Sequence, residues 1–73
     1  MKNNTHGVIK FNKNIYSEKA IVSSIAAFKH LAHFDIQQKG DYYLVILSKI
    51  NPQVKDVIKD EFNNYVLAKI KTD

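Results

Sequence analysis

The sequence predicts a small α+β fold whose elements follow the order β-α-β-β-α. Two segments, 15–32 and 52–70, carry apolar residues at helical spacing. Three shorter segments, 7–11, 33–38 and 42–49, are rich in β-branched and aromatic residues. We expect one three-stranded antiparallel sheet with the spatial order 1-3-2 and both helices on one face. Its β-α-β connection should be right-handed, as such crossovers almost always are.

The first strand is predicted at residues 7–11, G-V-I-K-F. Side chains alternate between the two faces of a strand, so Ile9 and Phe11 share one face and Val8 and Lys10 the other. A polar Asn-Lys-Asn turn follows.

The first helix is predicted to begin after Ser17, whose hydroxyl can accept from a free N–H group of the first turn. Glu18 then lies where the helix dipole favours negative charge. Tyr16 and Ile21 have the spacing of a hydrophobic staple. The apolar positions recur every three or four residues as one stripe: Ile21, Ile25, Phe28 and Ala32, flanked by Val22 and Leu31.

Strands two and three, 33–38 and 42–49, are predicted to form a hairpin around Lys39-Gly40. A loop of two or four residues gives the same alternation of faces, and we expect Gln37 opposite Tyr42. The core face then holds Phe34, Ile36, Tyr43, Val45 and Leu47. The opposite face holds Leu44 and Ile46 beside Asp35 and Gln37.

The second helix is predicted from about Pro52 to Ile70, with Asn51 as its N-cap. Lys69 and Lys71 near its end suit the helix dipole. The expected buried stripe consists of Val54, Val57, Ile58, Phe62, Tyr65 and Val66, with the stem of Lys69.

This arrangement leaves one face of the sheet and the outer edge of strand one without a neighbour. Unpaired strand edges invite pairing, and an exposed apolar group indicates an interface. The predicted interface residues are Val8, Lys10, Tyr42, Leu44 and Ile46. Homodimerisation or peptide binding is the expected use.

Composition limits the class of protein. Seventy-three residues predict one domain, 1–73, in which we expect 1–6 to be flexible. The absence of cysteine excludes a disulfide framework, a zinc–thiolate site and a thiol nucleophile. We see no signal-length apolar run and no membrane span, so a cytoplasmic location is expected.

The net charge of +4 comes from eleven lysines and no arginine, spread along the chain. A small nucleic-acid-binding domain that uses these dispersed lysines is the alternative function. The Tyr42-Tyr43 pair beside Lys39 and Lys49 resembles a base-stacking surface. Leu44 and Ile46 would then occupy the positions where stacking rings belong, so nucleic acid is the less favoured partner.

Catalytic chemistry finds little support in the sequence. His30, His33 and Asp35 are candidate metal ligands, with His6 a distant fourth, but histidines in the last turn of a helix suit its dipole without a metal. The serines have no histidine–aspartate partner, and Gly7 and Gly40 form no phosphate-binding loop. We predict no catalytic residues, no cofactor, no metal and no enzymatic activity.

Several segments together resemble a known family. I-Y-S-E-K-A-I, A-A-F, Y-Y-L-V-I and E-F-N-N-Y look like the small D protein of the His-Xaa-Ser system, over about residues 8–70. The positions that match the family pattern are Tyr16, Ala20, Phe28, Glu61, Phe62 and Asn64. The family often has an arginine near the end of the second helix, where this chain has Lys69.

The resemblance implies an accessory role in peptide modification. Such a protein acts beside radical-SAM maturases that modify a His-Xaa-Ser peptide, and it carries no established catalytic residues. The expected partners are therefore the precursor peptide or the maturase, with the protein itself a homodimer. An extended peptide would bind by adding a strand to the sheet.

Overall fold

The computed structural model describes residues 7–72 and confirms the predicted fold. Its elements in chain order are β1 (Gly7–Asn12), α1 (Glu18–Phe28), β2 (His33–Lys39), β3 (Tyr42–Ser48) and α2 (Ile58–Thr72). The sheet has the order β1-β3-β2, and β3 is antiparallel to both neighbours. The expectation of flexibility at 1–6 lies outside the described residues.

The hairpin between β2 and β3 has a two-residue loop, Gly40-Asp41. Gly40 adopts a φ of 59° and Asp41 a negative φ, which matches the φ pattern of a type II′ turn. Lys39 therefore lies opposite Tyr42, and the predicted Gln37 pairing was wrong by two residues. A shift of two residues keeps every side chain on its predicted face.

The core lies between the sheet and the two helices. Phe62 of α2 is fully buried at its centre. Its ring centroid lies 5.0 Å from that of Phe34 on β2, 5.4 Å from Phe28 on α1 and 6.1 Å from Phe11 on β1. The remaining buried apolar residues are Ala20, Ile21, Ala32, Val45, Leu47, Ile50, Ile58 and Val66. These contacts place both helices on the same face of the sheet.

Helix α1 begins as predicted and ends earlier than predicted. The Ser17 Oγ accepts a hydrogen bond from the Ala20 N–H at 3.1 Å, which confirms the cap. The helix stops at Phe28, where the Leu31 N–H donates to the Phe28 carbonyl in a tighter turn. Val22 was expected beside the buried stripe but is 48% exposed.

Helix α2 begins at Ile58, so the predicted start at Pro52 was wrong. The Asn51 Oδ1 accepts from the Gln53 N–H at 2.9 Å, and the Val54 N–H bonds to the Asn51 carbonyl. Asn51 thus closes a local turn instead of starting a helix, as asparagine side chains often do. Residues 52–57 form successive turns, and Val57 is 48% exposed instead of buried.

Within the described part of the chain, no helix is long and apolar enough to cross a membrane.

Candidate interaction surface on the uncovered sheet face

The sheet face opposite the helices is formed by alternate residues of all three strands. The strand register aligns nine of them in three rows: Asn12, Tyr42 and Lys39; Lys10, Leu44 and Gln37; Val8, Ile46 and Asp35. A further pair, His33 and Ser48, continues the same face beyond the third row. We call these nine residues the uncovered face. The structure brings all five predicted interface residues together on it.

An apolar column runs along the middle of the uncovered face. Tyr42, Leu44 and Ile46 follow one another on the central strand, and Val8 lies beside Ile46. Val8 is 54% exposed and Tyr42 39%, whereas Leu44 and Ile46 are half-buried by their neighbours on either strand. An apolar column of this kind on an open sheet is a candidate contact surface.

The charges on this face are unevenly placed. The Lys10 Nζ lies 5.0 Å from the centre of the Tyr42 ring, within cation–π range. Lys39 lies opposite Tyr42 on the other neighbouring strand, so two cations flank that end of the column. Asp35, opposite Ile46, carries the one carboxylate of the uncovered face. The Tyr42 end therefore favours a partner that carries carboxylates.

Both β1 and β2 are edge strands, because β3 lies between them. Sequence reasoning named only the β1 edge and missed that of β2. The two edges differ in chemistry on the uncovered face. There β2 presents two charged residues, Asp35 and Lys39, whereas β1 presents the apolar Val8 and one charged residue, Lys10. Charged side chains discourage edge pairing, so β1 is the better site for an added strand.

His30 and His33 both follow the end of α1. Since α1 ends at Phe28, His30 belongs to the following turn, and placing the two histidines in the last helical turn was wrong. His33 is the first residue of β2, which confirms the predicted start of strand two at residue 33. Both line an open depression of about 520 Å³ between the end of α1 and the segment that follows β3.

The structure does not assemble a metal site from these residues. Among residues 7–72, no three histidine, aspartate or glutamate side chains are grouped so that they could hold a metal ion. Asp35 points away from the core, as predicted, and lies on the uncovered face. His6 lies outside the described residues.

Two of the candidate serine nucleophiles have structural partners in α1. Ser17 caps the helix, and the buried Ser24 Oγ donates to the Ala20 carbonyl at 2.8 Å. Among the described residues, no buried side-chain nitrogen or oxygen lacks a hydrogen-bond partner.

Comparison with protein-family models, curated proteins and solved structures gives no match for this chain. The resemblance to the His-Xaa-Ser D protein stays a prediction.

Proposed function

We propose that this chain is a non-enzymatic binding module that takes an extended peptide segment along the edge of β1, with side chains of the peptide resting on the uncovered face. An added strand would pair with the free backbone groups of β1, as in other cases of strand addition. Alternate side chains of the peptide would then contact Val8 and Lys10 on the same face.

The sequence of β3 is the observation that carries this proposal. Residues 42–47 read Y-Y-L-V-I-L, without a charged residue on either face. Uninterrupted apolar strands are typical of sheets covered on both sides, whereas a strand with one wet face alternates. Here the helices fully bury Val45 and Leu47, while Leu44 and Ile46 stay partly exposed. A partner that covers the second face would bury Leu44 and Ile46 as well, as the apolar composition of β3 favours.

The resemblance identifies the first partners to test. They are a His-Xaa-Ser precursor peptide and its radical-SAM maturase, and the complex would form in the cytoplasm. The lysines at the Tyr42 end favour a segment that carries carboxylates there. Without a partner, the uncovered face of one copy would pack on that of a second copy through Leu44 and Ile46, which gives a homodimer.

The direct test replaces Leu44 by aspartate. Leu44 lies between Lys10 and Gln37, so the new carboxylate has a cation beside it and the fold should persist. Ile46 is less suitable, because an aspartate there would face Asp35 and like charges on opposed strands destabilise the sheet. Truncating a central contact typically weakens binding by about tenfold or more.

The matched control is Gln37→Asp, which adds the same charge in the same row without removing apolar surface. Light scattering measures self-association, and calorimetry measures binding to a His-Xaa-Ser precursor peptide and to a radical-SAM maturase of that system. We expect Leu44→Asp to lose both while Gln37→Asp keeps them. Circular dichroism should show the same fold in both variants.

Three results would count against the proposal. Wild-type protein that neither self-associates nor binds peptide or maturase would remove its support. Global unfolding of Leu44→Asp would show that Leu44 belongs to the core. Binding to generic DNA or RNA with a steep dependence on salt would favour the nucleic-acid alternative.

A further inference from the structure

A second surface, away from the β1 edge, has the chemistry of an anion site. It is the depression between the end of α1 and the segment after β3, and we call it the junction pocket. Its lining residues are Lys29, His30, Leu31, Ala32, His33, Lys49, Ile50, Asn51 and Pro52. Two are lysines and two are histidines, all four exposed, and none is an aspartate or glutamate.

One backbone contact holds the two halves of the junction pocket together. The Asn51 N–H donates to the Leu31 carbonyl at 2.8 Å, across twenty positions of the chain. Ala32 and Ile50 are buried beneath this contact and form an apolar base. This contact joins the segment that carries Lys29, His30 and His33 to the segment that carries Lys49.

The backbone of Lys49 is the second observation. Its φ is 51°, and it is the one non-glycine residue with positive φ in the described chain. For a side chain with a Cβ this conformation costs about 1–2 kcal/mol, which glycine would avoid. The bend after β3 therefore carries a lysine at a position where glycine fits better, and strained residues of this kind concentrate at binding sites.

The C-terminal end of α1 repels an anion in the junction pocket, but only weakly. A helix C-terminus carries about half of a negative elementary charge. Lys29 and Lys49 contribute two full positive charges at the rim of the same pocket. Asp35, two residues beyond His33 on the same strand face, is the nearest carboxylate along β2. The net charge of the groups around the junction pocket is therefore positive.

We propose that the junction pocket binds a small organic phosphate, a role separate from peptide binding. The phosphoryl group would lie between Lys49 and the Lys29–His30 turn, since a compact dianion suits ammonium and imidazole donors. Its organic part would rest on Leu31 and Pro52, beside the Asn51 amide. A volume of about 520 Å³ exceeds what a bare phosphate fills.

The test is a titration of the full chain followed by amide and imidazole NMR signals at constant ionic strength. The probes are adenosine monophosphate, inorganic phosphate and, as the neutral control, adenosine. We expect saturable shifts confined to residues 29–33 and 49–52, tighter binding of adenosine monophosphate than of phosphate, and no such shifts with adenosine.

Lys49→Gly separates binding from stability. It removes one rim charge and relieves the positive-φ strain, so the melting temperature should stay the same or rise while affinity falls about three- to tenfold. Lys19→Gln changes the net charge equally on an exposed part of α1 outside the pocket, and it should bind as the wild type does.

Other outcomes would overturn the proposal. Equal losses in both variants, or shifts scattered over lysines throughout the chain, would show non-specific ion attraction only. Equal binding of adenosine and its monophosphate would show that the phosphoryl group is not recognised. Binding of a single-stranded oligonucleotide with no response to the small phosphates would assign the pocket to nucleic acid instead.

Discussion

Replacing Phe62 by alanine should remove a large part of the stability of this domain. Phe62 is fully buried and its ring meets those of Phe11, Phe28 and Phe34, so it joins α2 to β1, α1 and β2 at once. Alanine in place of a buried phenylalanine costs about 3–5 kcal/mol. A domain of 73 residues has only roughly 4–11 kcal/mol of stability to lose. At the lower end of that range, Phe62→Ala is largely unfolded.

Because an unfolded variant yields no free energy, Phe62→Leu provides the quantitative measurement. Leucine keeps the apolar character and loses the ring contacts, so we expect about 1–2 kcal/mol of destabilisation and a fall in melting temperature of about 5–15 °C. Urea titrations followed by circular dichroism give the free energy of unfolding.

The control is Tyr65→Leu, one turn further along α2. Tyr65 is 39% exposed, and its ring lies 5.4 Å from that of Phe28. Its loss should cost about 0.5–1 kcal/mol. If Phe62→Leu costs no more than Tyr65→Leu, the placement of Phe62 at the centre of the core is refuted.

Two further predictions concern the N-cap of α1 and the turn of the β2–β3 hairpin. Ser17→Ala should lower the free energy of unfolding by about 1 kcal/mol, because the Ala20 N–H loses its acceptor, while Ser17→Asp keeps a cap; thermal melts compare the two. Gly40→Ala should lower the free energy of unfolding by about 1 kcal/mol in urea titrations, because a φ of 59° is strained for alanine even though the added Cβ would meet nothing within 4 Å. Gly40→Asn should lower it less, since asparagine tolerates this conformation better. An alanine variant as stable as the wild type would contradict the turn assignment.

The features that were predicted correctly from the sequence depend on interactions between residues close together in the chain. The alternation of Ile9 and Phe11 with Val8 and Lys10 has a period of two, which fixes the faces of β1 without tertiary information. The Ser17 cap involves a hydrogen bond between residues three positions apart. Contacts between residues so close in sequence can be predicted from the local sequence alone.

The start of α2 could not be predicted in the same way, because Asn51-Pro52 fits two local structures. An asparagine before proline can cap a helix, and it can equally close a turn by accepting from the N–H two residues on. The structure uses the second option, with Gln53 as donor. No residue between Asn51 and Ile58 decides between them, and the outcome depends on how the segment joins Leu31.

The junction pocket depends on still longer-range information. His30 and Lys49 are neither near in sequence nor on one element, and they line one pocket because the Asn51 N–H bonds to the Leu31 carbonyl. The sequence drew attention to the histidines through their spacing, and this suggested metal chemistry. The positive φ of Lys49 had no signal in the sequence, since most residues with that conformation are glycine or asparagine.

The composition of the uncovered face could be predicted because it depends on parity alone. The hairpin register was wrong by two residues, yet Leu44 and Ile46 stayed on the predicted face, because only an odd shift exchanges the faces. A three-residue loop would have turned them into the core and exposed Val45 and Leu47. Both sides of β3 are apolar, so the alternation of β3 itself does not choose between these arrangements. The choice comes from β2, where Phe34 and Ile36 are apolar and Asp35 and Gln37 are polar. Pairing with β2 determines which side chains of β3 face the helices.

The other apolar side chains of β3, on the uncovered face, are not needed for the core of this domain. Their exposure is the physical basis for expecting a partner on the uncovered face.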